Sequence, residues 1–261
     1  MALARVLGRG TVVATRSGTW REDEPPPGVQ MHALDLTASQ LDLGPLLDCD
    51  ALHIAVAPAS GAASRRGLYV EGTRRLLEQS TRASWKRIVY ISSTSALPPI
   101  DGWVFESDCR RPDAERGQVQ REAEDQVLAH GTAHSIATLV LRLGGLYGPG
   151  RALGRLYRKR RDGPLPGDGN VPTNLIHLED AVQASLAALV APAHVGGVVH
   201  AVDDDHTPRR LMYEAVAETQ GLDPLEWERP IDPANPPVGK RVSNLRLKLE
   251  LGVRLKHPTH R

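Results

Sequence analysis

The chain has 261 residues, 41% of them hydrophobic and 24% charged, with a formal net charge of +1. This composition excludes a disordered chain and gives no global electrostatic reason to expect nucleic acid or an anionic membrane as partner. The length suits one large α/β domain, or a nucleotide-binding domain with a small C-terminal lobe.

Cys49 and Cys109 make neither a disulfide framework nor a metal-ligand spacing, so no metal is expected, and a reducing cytoplasm is the expected location. No apolar run reaches the ~20 residues needed to span a bilayer. The opening residues, broken by Gly8-Arg9-Gly10, do not read as a signal peptide.

Residues 1–8 read as the end of a helix, with Ala2, Leu3, Val6 and Leu7 on an apolar face and Gly8 closing it. A β-branched run predicts a strand over 11–15, stopped by Arg16-Ser17-Gly18. After Pro25-Pro26-Pro27-Gly28 come a short strand over 30–33, ending at Asp35-Leu36, and a weak helix over 39–47. The alternation then repeats: strand 51–57, helix 69–80, and strand 87–91 running into Ser92-Ser93-Thr94-Ser95. A long charged helix over 117–128 and a core strand over 137–143 follow, and Gly144-Gly145-Leu146-Tyr147-Gly148-Pro149-Gly150 reads as a loop for close backbone approach. Strands separated by helix-length segments predict an α/β fold with a doubly wound parallel sheet across residues 1–150.

From residue 151 the texture changes to a basic helix over 151–161, a Pro/Gly loop over 164–169 and the segment Asn174 to Asp180. A helix over 209–220, a proline-rich stretch over 230–237 and a last helix over 244–251 ending at Gly252 complete the chain. Residues 151–261 are read as a substrate-side region interleaved with the same fold, and no internal repeat is present. The adjacent cations Arg158-Lys159-Arg160-Arg161 read as a solvated helix end.

Such sheets begin with an apolar strand and a glycine-rich turn that holds a pyrophosphate. The front of this sequence has neither, so an upstream segment is expected, with residues 1–8 as the end of the helix after that turn. Its strand would be central, and without it strand edges and apolar surface stay uncovered. The alternative is that the protein is this short and another segment or subunit fills the gap.

Several stretches together resemble the extended short-chain dehydrogenase/reductases, most closely their atypical epimerase/dehydratase-like branch. They are Tyr69-Val70-Glu71-Gly72-Thr73, Ile91-Ser92-Ser93-Thr94-Ser95, Arg142 with Tyr147-Gly148-Pro149-Gly150, Ile176-His177-Leu178-Glu179-Asp180, and Lys240-Arg241-Val242-Ser243-Asn244 with Leu251-Gly252. The resemblance implies a Rossmann-like fold that binds NADP, with NAD as the alternative, and a small hydroxyl- or carbonyl-bearing, sugar-like substrate. A homodimer is compatible with it.

Arg16, with Ser17 beside it, stands where such folds choose between cofactors: an arginine there binds a 2′-phosphate, or else is a solvated turn residue. Asp35 and Leu36 resemble the pair bordering the adenine, although Asp35 also suits a helix cap. Ala55, Val56 and Ala57 resemble the small-residue strand end that the cofactor passes, or are plain core, and Gly145 is placed beside the cofactor too.

The family's acid/base pair is a tyrosine with a lysine four positions on; counting back from Glu124, those places hold Arg116 and Gln120. Arginine is a poor general base and glutamine carries no charge, so ordinary hydride-transfer catalysis is in question. Thr94 remains the candidate catalytic hydroxyl, with Arg116 and Tyr147 beside it and Ser95, Asn174 and Arg241 as candidate substrate contacts. His177 reads as a core histidine and Asp180 as a helix cap.

Overall fold

The computed structural model of the chain describes residues 1–20, 24–58, 62–153, 163–232 and 237–260. In chain order it places α1 (Ala2–Leu7), β1 (Val12–Thr15), β2 (Gln30–Ala33), a 3-10 turn (Gly44–Asp48) and β3 (Ala51–Ile54). There follow α2 (Ala62–Arg66), a π-helical segment (Gly67–Gly72), α3 (Thr73–Gln79), β4 (Arg87–Ser93), a 3-10 turn (Thr94–Ala96) and β5 (Gly102–Val104). Next come α4 (Glu115–His134), β6 (Ala137–Leu143), β7 (Gly145–Tyr147), β8 (Leu175–His177) and α5 (Leu178–Val190). The chain closes with β9 (Gly197–Ala201), α6 (Arg209–Gln220), β10 (Lys240–Val242) and α7 (Leu245–Leu249).

The main sheet is parallel, in the order β3-β4-β6-β9, and its register sets Ile54, Tyr90, Val140 and Val198 side by side. Burial on both faces explains the apolar stretches Ile88 to Ile91 in β4 and Leu139 to Leu141 in β6. Ile88, Tyr90 and Val140 pack on one side with Leu76 and Leu77 of α3 and Ala123 and Val127 of α4. Val89, Leu139 and Leu141 pack on the other against Ala181, Ala184 and Ala188 of α5, whose small side chains bring that helix close.

Three further parallel pairs surround the sheet: β1–β2, β5–β10 and β7–β8. Among the described residues β1 pairs only with β2 and β3 only with β4, so each keeps one edge without a strand partner. Of the apolar face expected on α1, Ala2 and Leu3 are half-buried, whereas Val6 is 60% and Leu7 42% exposed.

Several expected elements change. The weak helix over 39–47 is only the short 3-10 turn that starts at Gly44-Pro45. Strand pairing stops at Ile54, so Ala55, Val56 and Ala57 form an open strand end rather than core strand. Within the expected glycine loop, Gly145-Leu146-Tyr147 pairs with Leu175-Ile176-His177. Strands β5, β9 and β10 were not expected, and β9 carries a segment beyond residue 151 into the main sheet. Most of the expected basic helix, including Arg158-Lys159-Arg160-Arg161, lies outside the described residues.

The start of α4 meets the end of β4 through a glycine. A Cβ at Gly117 would lie 2.4 Å from the Ser95 carbonyl oxygen and 2.5 Å from Pro112 Cγ. Both neighbours are held, one by backbone and one by a ring, so the helix would have to retreat from the turn. Gly117→Ala should lower stability by about 1–3 kcal/mol, measured as a reduced urea midpoint with an unchanged slope.

Candidate active site

Parallel strands present their C-terminal ends on one edge, where α/β sheets bind ligands. The turns at the ends of β1, β2, β3 and β4 carry Arg16, Asp35, Ala55 to Ala57, and Thr94 respectively. Leu36, just past Asp35, is buried in the same cluster as Ile54 and Tyr90, which ties the β1–β2 pair to the main sheet.

Arg16 and Asp35 meet directly: Arg16 Nε donates to Asp35 Oδ2 at 3.1 Å. The other Asp35 oxygen accepts from Thr37 N at 2.9 Å and Thr37 Oγ1 at 2.6 Å. These Thr37 bonds, with a smaller contribution from Arg16, hold the Asp35 carboxyl below its ordinary range. The Arg16 side chain is 79% exposed, and its two terminal nitrogens take no partner among the described residues. Ser17 Oγ lies 2.6 Å from Thr19 Oγ1. Ala55 and Ala57 are exposed.

Beneath the β4 turn lies a buried polar network. Glu124 on α4 accepts from Ser92 Oγ at 2.5 Å, and from Arg142 on β6 through Nε at 2.9 Å and Nη2 at 2.7 Å. Arg142 is 0% and Glu124 1% exposed. Burial pushes the Glu124 carboxyl upward, opposed by the Ser92 hydroxyl and the nearby guanidinium of Arg121. His200 on β9 extends the network, its Nε2 3.4 Å from Arg142 Nη1 and its backbone N–H on Glu106 Oε1 at 2.9 Å.

Thr94 opens the turn above this network. Ser95 N donates to Ser93 Oγ at 3.2 Å, while Ser95 Oγ is buried without a hydrogen-bond partner. The Thr94 carbonyl accepts from Lys240 Nζ at 2.9 Å, and the same ammonium reaches the Leu97 carbonyl at 3.1 Å. Burial lowers the Lys240 pKa. Arg116 is exposed in the first turn of α4, next to the Gly117 contact with Ser95. Tyr69, on the π-helical segment, has its phenol raised by burial, with Arg116 and then Arg65 pulling it back. Gln120, in the expected lysine position, is buried with Oε1 unpartnered.

Other expected site residues face elsewhere. Asn174 Nδ2 donates to the Lys240 carbonyl at 2.9 Å and its Oδ1 accepts from Val242 N at 2.7 Å, so both ends of the amide hold β10. Tyr147 is buried, and its hydroxyl donates to the Thr259 carbonyl at 3.2 Å. Gly145 is exposed on β7, and Arg241 is half-buried on β10. The expected cap at Asp180 is a correction: His177 Nδ1 accepts from Glu179 N at 3.3 Å and caps α5. Asp180, fully buried, instead accepts from Lys256 N at 2.8 Å and His257 N at 2.9 Å.

Sequence reading passed over Lys240 and Tyr69 as site residues. The signal for Tyr69 was a tyrosine opening the stretch before Gly72-Thr73; for Lys240 it was a lone lysine before a β-capable Arg-Val.

Comparison with known proteins follows this geometry. Residues 3–200 match the NAD dependent epimerase/dehydratase family. Protein YeeZ of Escherichia coli strain K12 is 32% identical over 225 residues, which is 86% of this chain and 77% of that protein. The structure of a putative NAD-dependent epimerase/dehydratase from Methylobacillus flagellatus superposes with a TM-score of 0.75 at 26% identity, covering 99% of this chain and 89% of that one. That of MoeE5 in complex with UDP-glucuronic acid and NAD gives 0.78 at 23% identity, covering 98% and 88%.

The His200 imidazole, pushed down to about 4 by burial, stays neutral in the folded chain while the unfolded chain protonates near pH 6.5. Falling pH between those values therefore favours unfolding. His200→Gln should lose less stability than the parent between pH 7 and pH 5, by about 1–2 kcal/mol; urea titrations at the two pH values measure it.

Proposed function

The chain belongs to the NAD dependent epimerase/dehydratase family, and from that premise we propose that it binds NADP(H) at the C-terminal ends of β1 to β4. Its substrate is then a small hydroxyl- or carbonyl-bearing, sugar-like molecule, on which it acts as a reductase, epimerase or dehydratase. The observation that carries the cofactor reading is Arg16: an exposed guanidinium at the end of β1 with both terminal nitrogens unpartnered among the described residues. That fork matches a phosphate group.

In this reading Arg16 and Ser17 take the 2′-phosphate, and Asp35 and Leu36 border the adenine. Ala55 and Ala57, exposed, and Val56, half-buried between them, let the cofactor backbone pass, and Gly145 lies near its far end. When bound, the nicotinamide gives or accepts a hydride. Thr94 donates its hydroxyl to the substrate oxygen, and Lys240, fixed on the Thr94 carbonyl, orients that turn and adds positive charge. Arg116 contributes charge beside the Tyr69 phenol, which supplies from another helix the tyrosine that α4 lacks. Ser95 and Arg241 complete the substrate side; Tyr147 and Asn174 act from behind it, by holding the tail and β10.

Calorimetric titration should show the protein binding NADPH more tightly than NADH, and Arg16→Ala should weaken NADPH by about tenfold while leaving NADH unchanged. No heat from either nucleotide overturns the proposal. Thr94→Val should keep nucleotide affinity and lower turnover of an accepted carbonyl substrate by about 10²-fold.

A second reading, nucleotide binding without turnover, is favoured by Arg116 and Gln120 in the acid/base places. It predicts intact NADPH binding with no oxidation across a broad carbonyl panel, and a nucleotide-dependent shift in oligomeric state or partner affinity.

A further inference from the structure

On the flank of the molecule, where β8 runs into α5, His177, Glu179 and His257 bring one ligand atom each to within 4.8 Å of one another. His257 Nε2 is 3.1 Å from Glu179 Oε2, and the two imidazoles lie over each other with centroids 3.6 Å apart. We propose that these three side chains form a binding site for one borderline divalent cation of the zinc type, which staples the C-terminal tail to the β8–α5 corner.

Two imidazoles and one carboxylate are a donor set of the zinc class, and three protein ligands leave a fourth position for solvent. A tetrahedral ion with bonds of about 2.0–2.1 Å needs its ligand atoms about 3.3 Å apart. The His257–Glu179 pair already meets that spacing, and the cation takes the place of the proton shared between Nε2 and Oε2. His177 has to close on that pair, and the bond it gives up is the long 3.3 Å contact from Glu179 N.

The site is held on both sides. His177 is buried, with its ring edge-on to Tyr147 at 5.1 Å between centroids. Glycine at 148 is required beside it, because a Cβ there would lie 2.5 Å from His177 Nε2. The position of His257 is set by its own backbone, since Asp180 binds the N–H groups of Lys256 and His257. Replacing the His257 side chain therefore leaves the tail's main attachment in place. Lys256 Nζ lies 3.9 Å from Glu179 Oε2, and at 62% exposure it is free to swing away.

The spacing argument that led to no expected metal concerned two cysteines. This set joins residues 177 and 179 to residue 257, a proximity created by the fold.

The test is calorimetric titration of the full chain with zinc chloride, together with thermal unfolding with and without zinc, and with magnesium as the hard-cation control. The expected result is one zinc per chain, a melting point raised by several degrees, and no response to magnesium. Glu179→Gln and His257→Gln should each weaken zinc at least tenfold while keeping the parent melting point in the absence of metal. Should either variant fold poorly, the other decides. Unchanged zinc affinity in a folded variant overturns the proposal, as does no zinc heat in the parent protein. Zinc binding abolished by Cys49→Ser with Cys109→Ser but retained in Glu179→Gln also overturns it, because the thiols then hold the ion.

Discussion

The ion pair of Glu124 with Arg142, both sealed from solvent, is the contact on which the site depends. It joins α4 to β6 below the C-terminal edge of the sheet, and through the Ser92 hydroxyl it reaches the strand that ends in Thr94. Burying both charges costs several kcal/mol per ion, and only good geometry with further hydrogen bonds offsets that. Here the guanidinium binds both carboxylate oxygens, and Ser92 adds a third bond. The gain lies in position. Apolar side chains could fill the same volume, but they would leave α4 free to slide along the sheet, whereas a bidentate pair fixes one register. Fixing α4 also fixes Gly117 against Ser95, and hence the place of Arg116 relative to Thr94.

The tail is fixed by the same device, with buried carboxylates receiving defined donors. Asp180 takes two backbone N–H groups, and Asp203 takes His260 Nδ1 at 3.0 Å with both side chains sealed from solvent. Burial raises the Asp203 carboxyl and the neighbouring His260 opposes it. Tyr147 closes the arrangement by donating to Thr259. The last residues are thus anchored from α5, from the end of β9 and from β7, and the chain's final segment supports the strand pair that carries Gly145. The β5–β10 pair is held likewise, since Asn174 bonds the β10 backbone and Val104 and Val242 share a small core with Leu97 and Val202.

Elements with a strong local pattern were legible in the sequence. Strand 137–143, strand 30–33 and helix 209–220 fall where the apolar runs and periodicity put them. β5 and β10 were not legible, because each is three residues long and its partner lies more than 130 positions away. No local signal separates such a strand from a loop. At the site, the strand ends bearing Arg16, Asp35 and Thr94 could be read from composition at the turns. The directions of Asn174, Tyr147 and Asp180 could not, because their partners are backbone groups near residues 240, 259 and 256, which the fold alone brings close. Helix capping was misassigned for a related reason: an aspartate in a first turn suits a cap, and only the packed tail supplies Asp180 with stronger donors.

The Arg16–Asp35 contact leaves room for both sequence readings of Arg16. An ion pair this exposed contributes about 0–1 kcal/mol, because water screens it and two side chains must be ordered to make it. A guanidinium on a phosphate dianion makes two charge-assisted hydrogen bonds, roughly twice as strong as neutral ones. Because Asp35 engages only Nε, a phosphate can take the terminal nitrogens without displacing it, and Thr37 keeps the carboxylate in place throughout. A turn arginine of this kind adds little to folding and is already oriented when a phosphate arrives. On the proposed reading its contribution would be to binding, through low reorganisation, which is the property a cofactor-selecting residue needs.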